Sequence, residues 1–206
     1  MPSSEFGQAI RLVHSQLKRP STKSAVPVLI VLTGLPGTGK STVAQELSQR
    51  LPAIVIASDF VRKTLFPEPT YSGEESRFVH SVSRAVMGHY LQRGYSVIAD
   101  ATNLGEWHRS LFARTAERNS APMIVVQTVA PERLVRSRLR RRLIQRTPGD
   151  FSDADWEVYQ KLATQVEPIR GRYLRVDTSR DLASNIQRVL RAVRRAVKEA
   201  DARKSS

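Results

Sequence analysis

The chain has 206 residues, 25% of them charged, a formal net charge of +14 and no cysteine. That length closes one core of ordinary to generous size without covalent staples, and the missing thiols exclude a disulfide framework, a cysteine nucleophile and a cysteine-ligated zinc site. Nearly all of the excess positive charge falls in residues 1–26, 130–146 and 181–206, where it either attracts polyanions or forms solvated helix faces.

The first twenty residues carry Arg11, Lys18 and Arg19 and no apolar core segment. No signal peptide or membrane span is therefore expected, and the protein reads as soluble and cytoplasmic. Phe6, Ile10, Val13 and Leu17 recur at three- and four-residue intervals, which predicts an amphipathic helix over residues 5–19, followed by a linker to Pro27. Residues 1–26 are read as this basic helix and linker, and residues 27–180 as the main domain.

The apolar run Val28-Leu29-Ile30-Val31-Leu32 predicts the first core strand, and Gly34-Leu35-Pro36-Gly37-Thr38-Gly39-Lys40-Ser41 fills the template G-x-x-x-x-G-K-[ST]. Val43, Leu47 and Leu51 then continue at helical spacing. Strand, glycine-rich loop and helix together point to a nucleoside triphosphate: the backbone N–H groups face phosphate, the Lys40 ammonium neutralises β/γ charge, and the Ser41 hydroxyl reaches Mg²⁺. Gly34, Gly37, Thr38, Gly39, Lys40, Ser41 and Thr42 are the candidate nucleotide-binding residues.

Further on, strands are expected over residues 53–57, 96–100, 123–129 and 173–176, with helices over 74–92, 106–119, 131–146 and through 181–206. Ser152 with Asp155 three residues later reads as a cap opening one more helix. Strands alternating with helices give a parallel sheet whose ligand crevice lies beyond the carboxyl ends of the strands.

That rule nominates the remaining candidates. Asp59 follows its strand directly, with Arg62 three residues on; a carboxylate and a guanidinium side by side suit phosphoryl transfer to a hydroxyl, although Asp59 also fits a plain helix N-cap. Asp100 closes an apolar strand where a magnesium or substrate carboxylate would sit. Asn103 either contacts an acceptor or forms an Asx turn, and Arg109 either reaches the crevice or stays on the surface. Between residues 131 and 146, Val135, Leu139 and Leu143 form a packing row beside a cationic row of Arg138, Arg142 and Arg146. A helix of this kind can close arginines over a triphosphate, with Thr147-Pro148-Gly149-Asp150 as the hinge of a lid at about 131–150. His14, His80, His89 and His108 share no ligand spacing, and Trp107 and Trp156 read as packing residues. Residues 181–206 read as a basic amphipathic helix lying on the domain.

Taken together, the 34–42 loop, Ser58-Asp59-Phe60-Val61-Arg62-Lys63, Ile98-Ala99-Asp100-Ala101-Thr102-Asn103 with Arg109, and Arg138-Leu139-Arg140-Arg141-Arg142 resemble the kinase domain of polynucleotide 5′-hydroxyl kinases and their P-loop kinase relatives. The resemblance covers about residues 27–180. It implies an α/β P-loop NTPase fold, with a five-stranded parallel sheet in the order 2-3-1-4-5, helices on both faces and an arginine-rich helical lid. It also implies ATP and Mg²⁺, Asp59 as general base, Arg62 on the acceptor's phosphate, Asp100 and Asn103 along the acceptor side, and Arg138 and Arg142 over the donor phosphates. The expected acceptor is a hydroxyl, in the first instance a nucleic acid 5′ end. A sugar, nucleoside or antibiotic kinase and a nucleotide-switched nucleic-acid-binding module are the alternatives.

Overall fold

Five short strands rich in β-branched residues form the middle of the protein, and almost every one of their side chains is covered. The computed structural model describes residues 4–145 and 152–204. In chain order the described elements are α1 (Ser4–Gln16), β1 (Leu29–Thr33), α2 (Lys40–Ser48), β2 (Ala53–Ala57), α3 (Ser58–Leu65), α4 (Gly73–Gln92), β3 (Ser96–Asp100), α5 (Glu106–Arg118), β4 (Met123–Val129), α6 (Glu132–Ile144), α7 (Trp156–Ala163), β5 (Tyr173–Asp177) and α8 (Leu182–Lys204).

The sheet order is β2-β3-β1-β4-β5, parallel at every pairing. A parallel sheet needs helices on both faces, and the pleat divides β1 accordingly. Leu29 and Val31 point into a core with α1, α4 and α5 through Val13, Val86 and Phe112. Ile30 and Leu32 point into a second core with α2 and α8 through Leu47, Ile186 and Val189. The N-terminal helix is thus part of the fold, with Val13 fully buried.

The sheet's register sets where the loops leave it. Leu32 of β1, Asp100 of β3 and Ala57 of β2 are partners across adjacent strands. The glycine-rich loop, Asp100 and Asp59 therefore leave the sheet side by side at its carboxyl edge.

The helix carrying the arginine cluster lies on the glycine-rich loop. A Cβ placed on Gly37, whose φ is 75°, would come within 2.9 Å of Val135 and 3.1 Å of Leu139, so only glycine lets α6 approach this closely. The packing row expected through Leu143 stops one turn early: Val135 and Leu139 are buried, whereas Leu143 is 65% exposed, because the loop beneath supports only the first turns of the helix. Arg146 and the expected hinge Thr147–Asp150 lie outside the described residues. The cap expected at Ser152 belongs instead to Asp155, whose side chain accepts from Val158 N at 2.9 Å to open α7.

Truncating the contact between α6 and the loop should destabilise the whole protein. Leu139→Ala leaves a cavity against Gly37 and is expected to cost about 2–5 kcal/mol of unfolding free energy in urea titrations. A loss below about 1 kcal/mol would mean that α6 is not packed on the loop in solution.

Candidate active site

The loop from Gly34 to Lys40 is held by hydroxyls as well as by its glycines. Gly34 has φ 146°, and a Cβ there would fall 2.6 Å from both the carbonyl and the hydroxyl oxygens of Thr128, so β4 leaves no room for a side chain. Thr38 Oγ1 donates to Leu35 O at 2.7 Å and shares a hydrogen bond with Thr128 Oγ1 at 2.8 Å. Lys40 Nζ bridges the loop, donating to Gly34 O at 3.0 Å and Leu35 O at 3.1 Å. Ser41 and Thr42 stand exposed in the first turn of α2, where the unpaired N–H groups and the helix dipole favour anions.

Beside Lys40 lie two carboxylates. Burial lowers the Lys40 ammonium from its ordinary 10.5, Asp100 and Asp59 pull it back up, and Arg142 of α6 adds to the lowering. Burial raises Asp59 from its ordinary 3.8; a hydrogen bond from Ser152 and the charges of Lys40 and Arg62 oppose the rise, while Asp100 adds to it. Asp100 itself is 7% exposed. Lys40, Asp59, Asp100 and Arg142 thus share one electrostatic neighbourhood at the strand ends.

Asp59 lies within the first turn of α3, whose N-cap is Ala57, with no side-chain cap bond. The plain N-cap alternative therefore does not describe it. Arg62, one turn on, is 7% exposed. Its guanidinium pairs with Glu75, donates to Ser76 Oγ at 3.2 Å and lies 4.7 Å from the centre of the Tyr71 ring. Burial pushes Glu75 up, but the Thr70 hydroxyl and amide and the Arg62 guanidinium more than offset it and hold the carboxyl at about 2, against an ordinary 4.5. The cation expected to meet an acceptor's phosphate is already matched by a carboxylate.

Asn103 and Arg109 turn inward to brace the crevice. Asn103 takes a left-handed φ of 45° and its Nδ2 donates to Leu32 O at 2.7 Å. Thr33 Oγ1 donates to the carbonyls of Thr102 at 3.0 Å and Asn103 at 3.1 Å. Arg109 is 3% exposed, not a surface residue. It donates to the carbonyls of Asn103, Leu104, Glu167 and Pro168 and to the Glu106 carboxylate, binding the loop after β3 to the segment before β5. Asn103 Oδ1 is buried and makes no hydrogen bond within the protein.

Of the two arginines singled out on α6, Arg142 lies within electrostatic reach of Lys40, whose ammonium its like charge lowers. Arg138 donates to Gly37 O at 3.2 Å, to Thr178 Oγ1 at 2.8 Å and to Thr178 O at 2.9 Å, while Thr178 Oγ1 donates to Thr38 O at 2.8 Å. Arg138 therefore ties the loop to the turn between β5 and α8. Trp107, in the first turn of α5, is 63% exposed rather than packed in the core. Trp156 stacks on Tyr159, with centroids 4.7 Å apart, under the Arg136 guanidinium. The histidines lack ligand spacing in the chain yet meet in space as the pairs His14–His89 and His80–His108.

Sequence reasoning missed Glu75, Tyr71, Thr178, Ser152 and Asp153 around this crevice. Ser152 was read only as a cap, and Glu75 left a trace in that Ser72-Gly73-Glu74-Glu75 matches a capping box. Ser72 does accept from Glu75 N, but the glutamate side chain reaches Thr70 N at 2.7 Å and Arg62 instead of Ser72 N.

A metal ion fits this donor set only as a partner of phosphate. Among the described residues no three His, Asp, Glu or Cys side chains come together to hold one. One ammonium faces a buried carboxylate, Asp100, and a half-buried one, Asp59, with the Ser41 hydroxyl next in the chain, and such hard oxygen ligands would suit Mg²⁺ carried in on a triphosphate.

The strand, loop and helix with this sheet order define a P-loop nucleotide-binding fold of the kinase type. The chain belongs to the AAA domain family (AAA_33), which it matches over residues 29–169. It is 25% identical over 142 residues to the L-seryl-tRNA(Sec) kinase of Methanococcus maripaludis, covering 66% of this chain and 53% of that protein. The chain thus spans about half the length of that curated relative. Among solved structures it resembles Kti12 of Chaetomium thermophilum in complex with ADP-AlF3, with TM-score 0.67, 21% identity, and 82% of this chain and 98% of that one covered. It also resembles the APS kinase CysC of Mycobacterium tuberculosis in complex with AMPPNP and APS, with TM-score 0.62, 18% identity, and 80% and 96% covered. At these identities the likeness of the structures is one of fold. No described helix is long and apolar enough to cross a membrane.

The buried pair of Arg62 and Glu75 makes stability depend on acid. Because Glu75 sits at about 2 when folded against an ordinary 4.5, its contribution is fully present above the ordinary value and lost as pH falls through the folded one. Glu75→Gln should lower Tm at neutral pH, with the gap from wild type narrowing between about pH 4.5 and 2. A gap that stays constant across this range would show that the carboxylate is not held by the arginine.

Proposed function

We propose that the protein is an ATP-dependent kinase that transfers the γ-phosphoryl group to a hydroxyl acceptor. One observation carries the reading: at the carboxyl edge of the sheet the half-buried Asp59 carboxylate, after β2, and the loop lysine Lys40, after β1, lie on either side of Asp100 at the end of β3 and within electrostatic reach of each other. Lys40, Ser41, Thr42 and the N–H groups of the Gly34–Gly39 loop bind the triphosphate. Arg142, reaching over from α6, offsets charge that grows on the phosphoryl oxygens, and Arg138 keeps the loop in shape. Asp59 orients the attacking hydroxyl and takes its proton. Ser41 and Asp100 would hold a magnesium ion that arrives with the nucleotide, and it would supply neutralisation of phosphate charge.

The elevation of Asp59 does not conflict with this role. A base needs a pKa near enough to the working pH to accept a proton in the transition state, and burial moves Asp59 in that direction. Arg62 stabilises the ionised form and, through Glu75 and Tyr71, stiffens the acceptor side.

A polynucleotide 5′-hydroxyl is the first acceptor, supported by the Asp59-x-x-Arg62 and Asp100-Ala-Thr-Asn103 steps and by basic terminal segments. A small uncharged acceptor such as a sugar or nucleoside is the second reading, favoured by the pairing of Arg62 with Glu75, which leaves that cation already matched. Labelled ATP supplied with 5′-hydroxyl DNA and RNA, single- and double-stranded, should give labelled 5′ ends. If none is labelled while a metabolite panel releases ADP, the acceptor is small. A salt-sensitive oligonucleotide complex without transfer to any hydroxyl would instead identify a nucleotide-switched binding module.

Asp59→Asn should cut turnover by roughly 10²–10⁴ while leaving ATP affinity within a few-fold. In the wild type kcat/KM should rise with pH along an acid limb set by Asp59, above its ordinary 3.8, because the ionised form is the active one. An unchanged rate in the asparagine variant would remove Asp59 from the role.

A further inference from the structure

Away from the glycine-rich loop, a surface cavity gathers cations without a counterion. It lies where the end of α1 and the chain after it meet the last turns of α4, has a volume of about 340 Å³ and is lined by Arg11, His14, Ser15, Arg19, His89 and Tyr90. Because α4 ends at Gln92 and β3 begins at Ser96, this corner belongs to the amino edge of the sheet, opposite the edge that Asp100 closes. Its walls are fixed by packing. The His14 ring stands 4.2 Å from that of His89 and 4.9 Å, edge to face, from that of Tyr90. The chain after α1 is fastened to the start of β3: Ser24 N donates to Gly94 O at 2.8 Å, the Ser24 and Ser96 hydroxyls share a hydrogen bond at 2.8 Å, and Lys23 Nζ lies 5.7 Å from the centre of the Tyr95 ring.

The polar groups around this cavity are donors. Arg93 donates to His89 Nδ1 at 2.6 Å, so His89 is the neutral tautomer with its proton on Nε2. Ser15 Oγ already donates to Leu12 O at 2.7 Å. A guanidinium has donors only, and among the described residues no carboxylate pairs with Arg11, Arg19 or Arg93. His14 Nε2 is buried and makes no hydrogen bond within the protein. Burial, then the charges of His89, Arg93 and Arg19, lower His14 from its ordinary 6.5 to about 4, with no acid opposing them. A solvated helix face accounts for basic residues that spread into water, but not for three guanidiniums and two imidazoles around one cavity. Like charges brought together in this way repel until an anion enters.

We propose that this cavity is a binding site for a phosphate group, separate from the nucleotide site and independent of the kinase reading. The guanidiniums of Arg11 and Arg19 take the phosphate oxygens through charge-assisted hydrogen bonds. His89 Nε2 adds a neutral donor, and Arg93 holds that imidazole in the donating tautomer. A phosphate dianion suits the cavity better than a carboxylate, because more than one positive charge is uncompensated there. The same chemistry reaches the site in two forms: a free phosphate, or a phosphate of a polynucleotide strand, for which Lys18 and Lys23 add further cations along the adjoining chain. Arg11 and Arg19 belong to the N-terminal segment and His89 to α4, so an occupant ties the two together.

The test uses the full chain and follows its four histidine ring signals by NMR, assigned with His14→Gln and His89→Gln. Inorganic phosphate should shift the His14 and His89 signals saturably, whereas sodium chloride at equal ionic strength should not. The double variant Arg11→Gln, Arg19→Gln should weaken phosphate about 10–100-fold at these signals. Circular dichroism shows whether it is folded, and Arg19→Gln alone, outside the helix, serves if it is not. A short single-stranded oligonucleotide with 5′-hydroxyl ends that shifts the same signals at lower concentration than inorganic phosphate identifies a strand as the source; phosphate acting without it identifies the free anion. Signals unmoved by both probes overturn the inference, as do shifts that sodium chloride reproduces or that persist undiminished in the arginine variants. Phosphate bound at the glycine-rich loop alone leaves His14 and His89 unmoved and overturns it too. None of these outcomes bears on Lys40 or Asp59, so the kinase reading stands or falls separately.

Discussion

Three parallel strands in register impose the constraint on which the rest depends. Because Leu32, Asp100 and Ala57 are partners across β1, β3 and β2, the chain leaving each strand emerges at one level, and everything placed just after the strands becomes a neighbour. The lysine of the loop, the carboxylate closing β3 and the carboxylate opening α3 then share a small volume largely shielded from water. In such a volume charges act on one another far more strongly than at the surface. The buried Asp100 and the half-buried Asp59 beside one ammonium form an arrangement that, on the proposed reading, a magnesium-complexed phosphate would complete.

Around that cluster the structure spends its other charges on rigidity. Arg109 and Arg62 are among the least exposed polar residues, and each is matched by acceptors drawn from distant segments. A buried guanidinium is tolerated only when its donors are satisfied and its charge is offset. Here the satisfaction comes from loop carbonyls for Arg109 and from Glu75 and Ser76 for Arg62. These contacts fix the loop after β3, the turn before α4 and the segment before β5 relative to one another. Catalysis by positioning needs such stiffness, because a misplacement of about 1 Å is costly.

The strands and the glycine-rich loop were legible because they are written in local pattern: a β-branched run, then glycines and lysine at fixed spacing, then apolar residues at helical intervals; the strand order came only from the resemblance to P-loop kinases. Asp59 and Asp100 were legible from the rule that places ligands at the carboxyl ends of strands. What could not be read was the assignment of long polar side chains to partners far away in sequence. Arg62 and Arg109 look alike as surface or ligand arginines until Glu75, Glu167 and Pro168 are brought to them. Asn103 looks like an acceptor contact until its Nδ2 meets Leu32 O. Ser152 matched a local cap pattern at Asp155, but the aspartate opens the helix itself and the serine turns to Asp59. Periodicity likewise extended the buried face of α6 to Leu143, since a repeat in sequence does not state where the supporting surface ends.

The contact between α6 and the glycine-rich loop couples the two without any additional device. Val135 and Leu139 rest on Gly37, while Arg138 joins the Gly37 carbonyl to Thr178, whose hydroxyl in turn holds Thr38. Any shift of the loop backbone is therefore felt by α6 and by the turn after β5 together. Arg142 lies one turn beyond Arg138 on the same helix, so its approach to the phosphate side is governed by the same contact. Since glycine at position 37 is what permits that contact, the loop's sequence serves packing as well as the phosphate role proposed for it: it seats the helix that carries Arg138 and Arg142.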